Sequence, residues 1–203
     1  MLLYNWGGFV KFSHTLFALP FALSAMTLAA RAKFESLPIG DVEKTNALER
    51  GWPGWKAFLL IVAAMVTART CAMAFNRIAD RDYDAANPRT KNRHLPAGKI
   101  SLASAWTLTI LSAICFLAVC WFLPRICFYL APVALFIVIF YSLTKRFSDF
   151  THVFLGIALA IAPIGAWLAV TGEVQFVVAD VEGIMAKIRH GFFTPLVLAV
   201  LVL

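Results

Sequence analysis

Charge is scarce in this chain: 14% of its 203 residues are Asp, Glu, Lys or Arg, against about 25% in a typical soluble domain. That scarcity excludes an ordinary water-facing surface. With 61% hydrophobic residues and a mean hydropathy of +0.80, it defines an integral membrane protein, and the lipid bilayer is its first expected partner. Cysteine motifs are missing too. Cys71, Cys115, Cys120 and Cys127 form no CxxC pair and no Cys/His cluster with metal spacing. A disulfide framework and a soft-metal site are therefore excluded, and the four thiols are expected to be small core hydrophobes. There is no internal repeat and no low-complexity tract. Acids number 11 and bases 18. In a multispan chain such an excess marks cytoplasmic loops and sites for anionic groups, not nucleic acid. No protein partner is evident.

Long apolar runs dominate what is present. A spanning helix needs about 20 mostly apolar residues. That rule predicts spans near 12–30, 54–75, 101–123, 127–143 and 151–170. The first of these carries Ala30-Arg31-Ala32, loosely like a signal cleavage site, but its charged leader is poor and further spans follow, so a retained helix is expected. A sixth apolar run, from Phe192 to Leu203, is too short to cross about 30 Å at about 1.5 Å per residue. The expectation is one membrane-embedded domain over 1–203, an all-α bundle broken off within its sixth span. The connections are polar: 31–53, 76–100, the turn at Leu123-Pro124-Arg125, the basic 144–150, and 172–191. The positive-inside rule weighs nine bases against eight across the two faces, while the density of bases in 76–100 favours a cytoplasmic loop there.

The polar segment NRIADRDYD directly follows the second apolar run. Asn76, Asp80 and Asp84 recur at i, i+4 and i+8, so a helix continued past Phe75 stacks them on one face. Arg69 precedes Asn76 by seven residues and falls on the same stripe, deeper in the span. Asp82, with Arg77 and Arg81, is expected on a second, mixed-sign face. Two carboxylates and an amide oxygen form a hard-oxygen set suited to Mg²⁺, which takes one or two carboxylates and fills its other positions with water and phosphate. An Arg on that stripe supplies hydrogen bonds to phosphate oxygens. The bland alternative is a solvated loop whose charges pair among themselves. Ionisable groups at membrane depth cost at least about 2.5 kcal/mol each, which favours a functional role.

Residues 87–101, NPRTKNRHLPAGKIS, place Arg89, Lys91, Arg93 and Lys99 among Pro88, Pro96 and Gly98. The prolines exclude a long helix. A basic loop beside acids fits a polyanion bridged by metal, although topology-setting charge also accounts for some of these residues. A second basic site is YSLTKR, where Tyr141 and Lys145 stand i, i+4 and Arg146 follows. Taken alone it is weak, because Tyr and Lys are common at membrane interfaces. His14 and His152 are read as interfacial. Some of the 18 Phe residues are candidates to line an isoprenoid channel.

The run NRIADRDYDAANPRTKNRHLPAGKIS resembles the first aspartate-rich motif of the UbiA superfamily of intramembrane aromatic prenyltransferases. TARTCAMAFN, KFSHTLFALPFAL, YSLTKR and LGIALAIAPIGAWLAVTG are similar to that family as well. Within it the chain most resembles the bacterial 4-hydroxybenzoate polyprenyltransferase-like branch, part of which acts in menaquinone synthesis by the futalosine route. The resemblance implies nine spans and a second aspartate-rich motif after the sixth. It implies Mg²⁺-dependent transfer of a polyprenyl group from its diphosphate to an aromatic acid, 4-hydroxybenzoate or a dihydroxynaphthoate, in ubiquinone or menaquinone biosynthesis. Asn76, Asp80 and Asp84 would hold the metal, with Arg69, Arg93, Tyr141, Lys145 and Arg146 on the diphosphate. It also implies a bacterial cytoplasmic membrane with the active loops on the cytoplasmic side. Two rivals remain: a CDP-alcohol phosphatidyltransferase, whose aspartate pattern opens D-G where this chain has Asp80-Arg81, and an ion-coupled transporter, which predicts acids within several spans.

Overall fold

The computed structural model describes residues 12–35, 51–144 and 151–172. Within them lie six helices: α1 (Phe12–Glu35), α2 (Trp55–Ala79), α3 (Arg81–Ala86), α4 (Leu102–Trp121), α5 (Arg125–Thr144) and α6 (Thr151–Thr171). The expected spans become α1, α2, α4, α5 and α6. The sixth apolar run and the 172–191 connection fall almost wholly outside the described residues.

Four helices, α2, α4, α5 and α6, are long and apolar enough to cross a membrane. At most 33% of any of these spans is buried inside the protein. The outward faces carry Ile110, Leu111, Ile114, Val133 and Phe136. Water does not tolerate so continuous an apolar surface, so lipid is the solvent there. Cys115 sits on that outward face, whereas Cys71, Cys120 and Cys127 are buried, and all four are free. The expectation of four core thiols is thus corrected at Cys115. Hydropathy does not separate a lipid-facing side from a core-facing one when both are apolar.

Helix boundaries follow local chemistry. Gly54 at φ 94° turns the chain into α2. Ser101 caps α4, its Oγ accepting from the Ser104 amide at 3.1 Å. Pro124 separates α4 from α5, and the three residues between them fold the two helices back antiparallel. Pro132 and Pro163 lie inside α5 and α6, a placement tolerated when neighbouring helices satisfy the freed carbonyls.

Packing is set by small residues. α1 lies along α6 through Ala22, Ala25, Ala29 and Ala30 against Ala166 and Ala169, all buried. Side chains this small let backbones approach closely, which is how helices associate where lipid competes for apolar surface. Lys33 fastens the end of that pair, donating from Nζ to the Val170 carbonyl at 2.9 Å. α2 packs chiefly along α4. A second cluster seats Leu95 and Ile100 of the polar segment on Ala74 and Ala105. That seating holds the basic loop over the end of α2.

Candidate active site

The site begins where α2 stops. Asp80 has φ −83° and ψ 0°, a turn that interrupts the helix before α3 resumes at Arg81. The i+4 bonding nevertheless runs through the break: the Asp80 amide donates to the Asn76 carbonyl at 2.9 Å, and the Asp84 amide to the Asp80 carbonyl at 2.8 Å. The backbones of Asn76, Asp80 and Asp84 therefore follow one another as successive turns. Asp80 is half-buried and Asp84 is buried.

Asp84 is already engaged. Both of its carboxylate oxygens accept from Arg93 Nη1, at 2.6 and 2.8 Å. The Asp84 side chain is 9% exposed and that of Arg93 36%, so the pair sits at the rim with its acid inward. Thr90 Oγ1 donates to the Asp84 backbone carbonyl at 3.1 Å. The loop around Arg93 is a chain of turns. The Arg89 amide bonds to Asn87 Oδ1 at 3.0 Å, the Arg93 amide to the Thr90 carbonyl at 2.9 Å, and the Ala97 amide to the Arg93 carbonyl at 2.9 Å. A segment unfit for helix thus holds its guanidinium in place by side-chain and turn bonds.

Arg77 corrects the sequence expectation. Placed there with Asp82 and Arg81 on a separate face, it is buried, and its electrostatic neighbours are Arg93, Asp84 and Asp80. The signal was present in the spacing, since Asp80 stands i+3 and Asp84 i+7 from Arg77. Arg81 and Asp82 do pair, at 3.9 Å and exposed. His94, beside Arg93, is held below its ordinary pKa by partial burial first, then by the charges of Lys99 and Arg77.

Arg69 lies apart from the acids. It lines an apolar cavity of about 270 Å³ between α2, α4, α5 and α6, and among the described residues it is the one charged side chain in that wall. Its Nε is buried with no hydrogen-bond partner among the described residues. Tyr141, in the last turn of α5, is its electrostatic neighbour. Met65, Phe116, Leu135 and Leu159 are among the apolar lining residues. Lys145 and Arg146 lie outside the described residues. The structure thus gathers Arg77, Asp80, Asp84 and Arg93 into one cluster, with the Asn76 backbone one turn before Asp80, and sets Arg69 with Tyr141 in another.

The oxygen ligands the first cluster offers are the two carboxylates of Asp80 and Asp84. Among the described residues no group of three His, Cys, Asp or Glu side chains is placed to hold a metal. A cage built wholly of protein ligands is therefore not what this cluster offers. It fits a hard ion that takes one or two carboxylates and completes its shell from water and substrate phosphate. The cationic Arg93 group seated on Asp84 shows that the position accepts positive charge.

A helical bundle that exposes apolar surface to lipid, with an acid–guanidinium cluster at one helix end and an apolar cavity deeper along the same helix, defines a membrane-embedded protein. Comparison with known proteins makes this specific. The model of the UbiA prenyltransferase family matches residues 47–203, and the chain belongs to that family. A 4-hydroxybenzoate octaprenyltransferase of Vibrio campbellii is 30% identical over 129 residues, covering 64% of this chain and 45% of that protein. One from Shewanella oneidensis is 32% identical over 124 residues, covering 61% and 43%. The apo structure of a UbiA homolog from Aeropyrum pernix superposes with a TM-score of 0.65 at 30% identity, over 86% of this chain and 55% of that one. The chain spans less than half the length of these curated relatives.

Proposed function

We propose that the complete protein transfers a polyprenyl group from a polyprenyl diphosphate to an aromatic acid in quinone biosynthesis, and that this chain carries the diphosphate-binding half of the site. Two observations support this: the buried Asp84 and half-buried Asp80 follow the end of α2, and the same helix, from Ile61 to Arg69, lines an apolar cavity further into the bundle. A polyprenyl diphosphate has the same two-part character, a polyanion joined to a hydrocarbon.

The residues divide the work accordingly. Arg77 and Arg93, joined by Lys145 and Arg146, hold the diphosphate by charge-assisted hydrogen bonds and stabilise the charge it gains as the C–O bond lengthens. Arg69 and Tyr141 stand deeper, where the diphosphate meets the chain. Asn76, Asp80 and Asp84 would hold Mg²⁺, which supplies Lewis-acid neutralisation of the leaving diphosphate. The apolar walls seat the isoprenoid and keep water from it. The acceptor we propose is 4-hydroxybenzoate, after the names of the relatives; no observation favours a dihydroxynaphthoate. We propose the cytoplasmic side of a bacterial inner membrane for the site end of the bundle, on the density of its bases.

Transfer of radiolabelled prenyl diphosphate to 4-hydroxybenzoate, with and without Mg²⁺, tests this. Asp80→Asn and Asp84→Asn should each abolish Mg²⁺-dependent product while the protein stays in the membrane. Full transfer by either variant rejects the metal assignment. Substrate uptake into vesicles without product would favour a transporter instead.

A further inference from the structure

We propose that the Arg93–Asp84 ion pair is a latch: it holds the basic loop 87–100 shut over the acid pair when no substrate is bound, and it opens when the metal and the diphosphate arrive together. The inference rests on the preceding reading of Asp84 as a metal ligand. Arg93 Nη1 occupies both oxygens of Asp84, so a metal and Arg93 compete for one carboxylate. A diphosphate is the partner that releases Arg93, because it offers the guanidinium phosphate oxygens in exchange.

Charge balance points the same way. Asp80 and Asp84 face Arg77 and Arg93, two acids against two bases. The two acids are already matched by two guanidinium groups, with Lys99 near by, so a dication alone adds unbalanced positive charge. A dication arriving with a polyanion does not. Loop packing supplies the hinge. Leu95 and Ile100 are anchored on Ala74 and Ala105, whereas Lys91, Asn92, Ala97 and Lys99 are exposed. Only the 87–93 stretch has to shift for Arg93 to change partners.

The test uses the purified protein in lipid nanodiscs, with Mn²⁺ as the spin-active probe and inorganic pyrophosphate as the anion. Wild type should bind Mn²⁺ weakly alone and at least about tenfold more tightly with pyrophosphate, the scale set by one charge-assisted bond gained or lost. Arg93→Gln should bind Mn²⁺ alone about tenfold more tightly than wild type and gain little from pyrophosphate. Hydrogen exchange in wild type provides an arm that needs no variant: amides of 87–93 should exchange faster with saturating Mn²⁺ and slow again when pyrophosphate is added. Unchanged or weaker Mn²⁺ binding by folded Arg93→Gln overturns the latch. So does Mn²⁺ binding that leaves exchange in 87–93 unaltered, a result that spares the metal site. Mn²⁺ binding that survives Asp84→Asn undiminished rejects the ligand assignment and the latch with it.

Discussion

Replacing Arg69 with Met should make the protein more stable and less active. Arg69 presents a guanidinium to an apolar cavity, with Nε buried and unpaired among the described residues. An unmet buried donor costs about 1–3 kcal/mol, and a cation near the centre of a spanning helix about 2.5–3.5 kcal/mol on insertion scales. Two terms offset this: Tyr141 is a favourable neighbour, and the side chain is only half-buried. Met keeps the length and fills the wall without a polar atom. The net expectation is a gain of about 1–2 kcal/mol, read by reversible unfolding in mixed detergent micelles. Prenyl transfer should fall at least about tenfold, the worth of one charge-assisted hydrogen bond to phosphate. A loss of about 1 kcal/mol or more would show that Arg69 is satisfied where it sits, and undiminished transfer would show that it does not meet the diphosphate. Either result refutes the reasoning.

Three further outcomes follow from local geometry. Gly51 has φ 77°, and a Cβ there would lie 3.2 Å from the Thr27 carbonyl oxygen, so Gly51→Ala should cost about 1–2 kcal/mol in the same unfolding assay. Ser101→Ala removes the cap of α4 and should cost about 1 kcal/mol. His94 is held below the ordinary histidine value of 6.5, so the unfolded chain takes up a proton before the folded one does. Its contribution to stability is complete above about pH 6.5 and is lost as pH falls through its lower folded value; His94→Gln should flatten that acid limb of the stability curve.

Much of the bundle was legible because spanning helices obey a local rule. Continuous apolar runs of about 20 residues located α2, α4, α5 and α6 to within a few residues of their ends. α2 runs on past Phe75, as the i, i+4 spacing of Asn76 and Asp80 required, but it stops at Asp80. Arg77 precedes that turn, within α2; grouping it with Arg81 and Asp82, which follow the turn, is what misplaced it. The prolines of 87–100 correctly denied that segment a helix, while leaving open what it covers.

The sequence by itself determined the solvent, the five long helices of the described stretch, and the i+4 succession of the Asn76, Asp80 and Asp84 backbones, because apolar length and spacing are written in consecutive residues. Tertiary structure alone decided that Arg93 closes on Asp84, that Arg77 is buried with both acids as charged neighbours, and that Arg69 faces a cavity walled by four helices. It also decided that α1 lies on α6, across 137 residues of sequence at the Lys33–Val170 bond. The physical reason is that each of these depends on which apolar face meets which. Leu95 on Ala74 and small residues on α1 against small residues on α6 settle that choice only once the helices have packed.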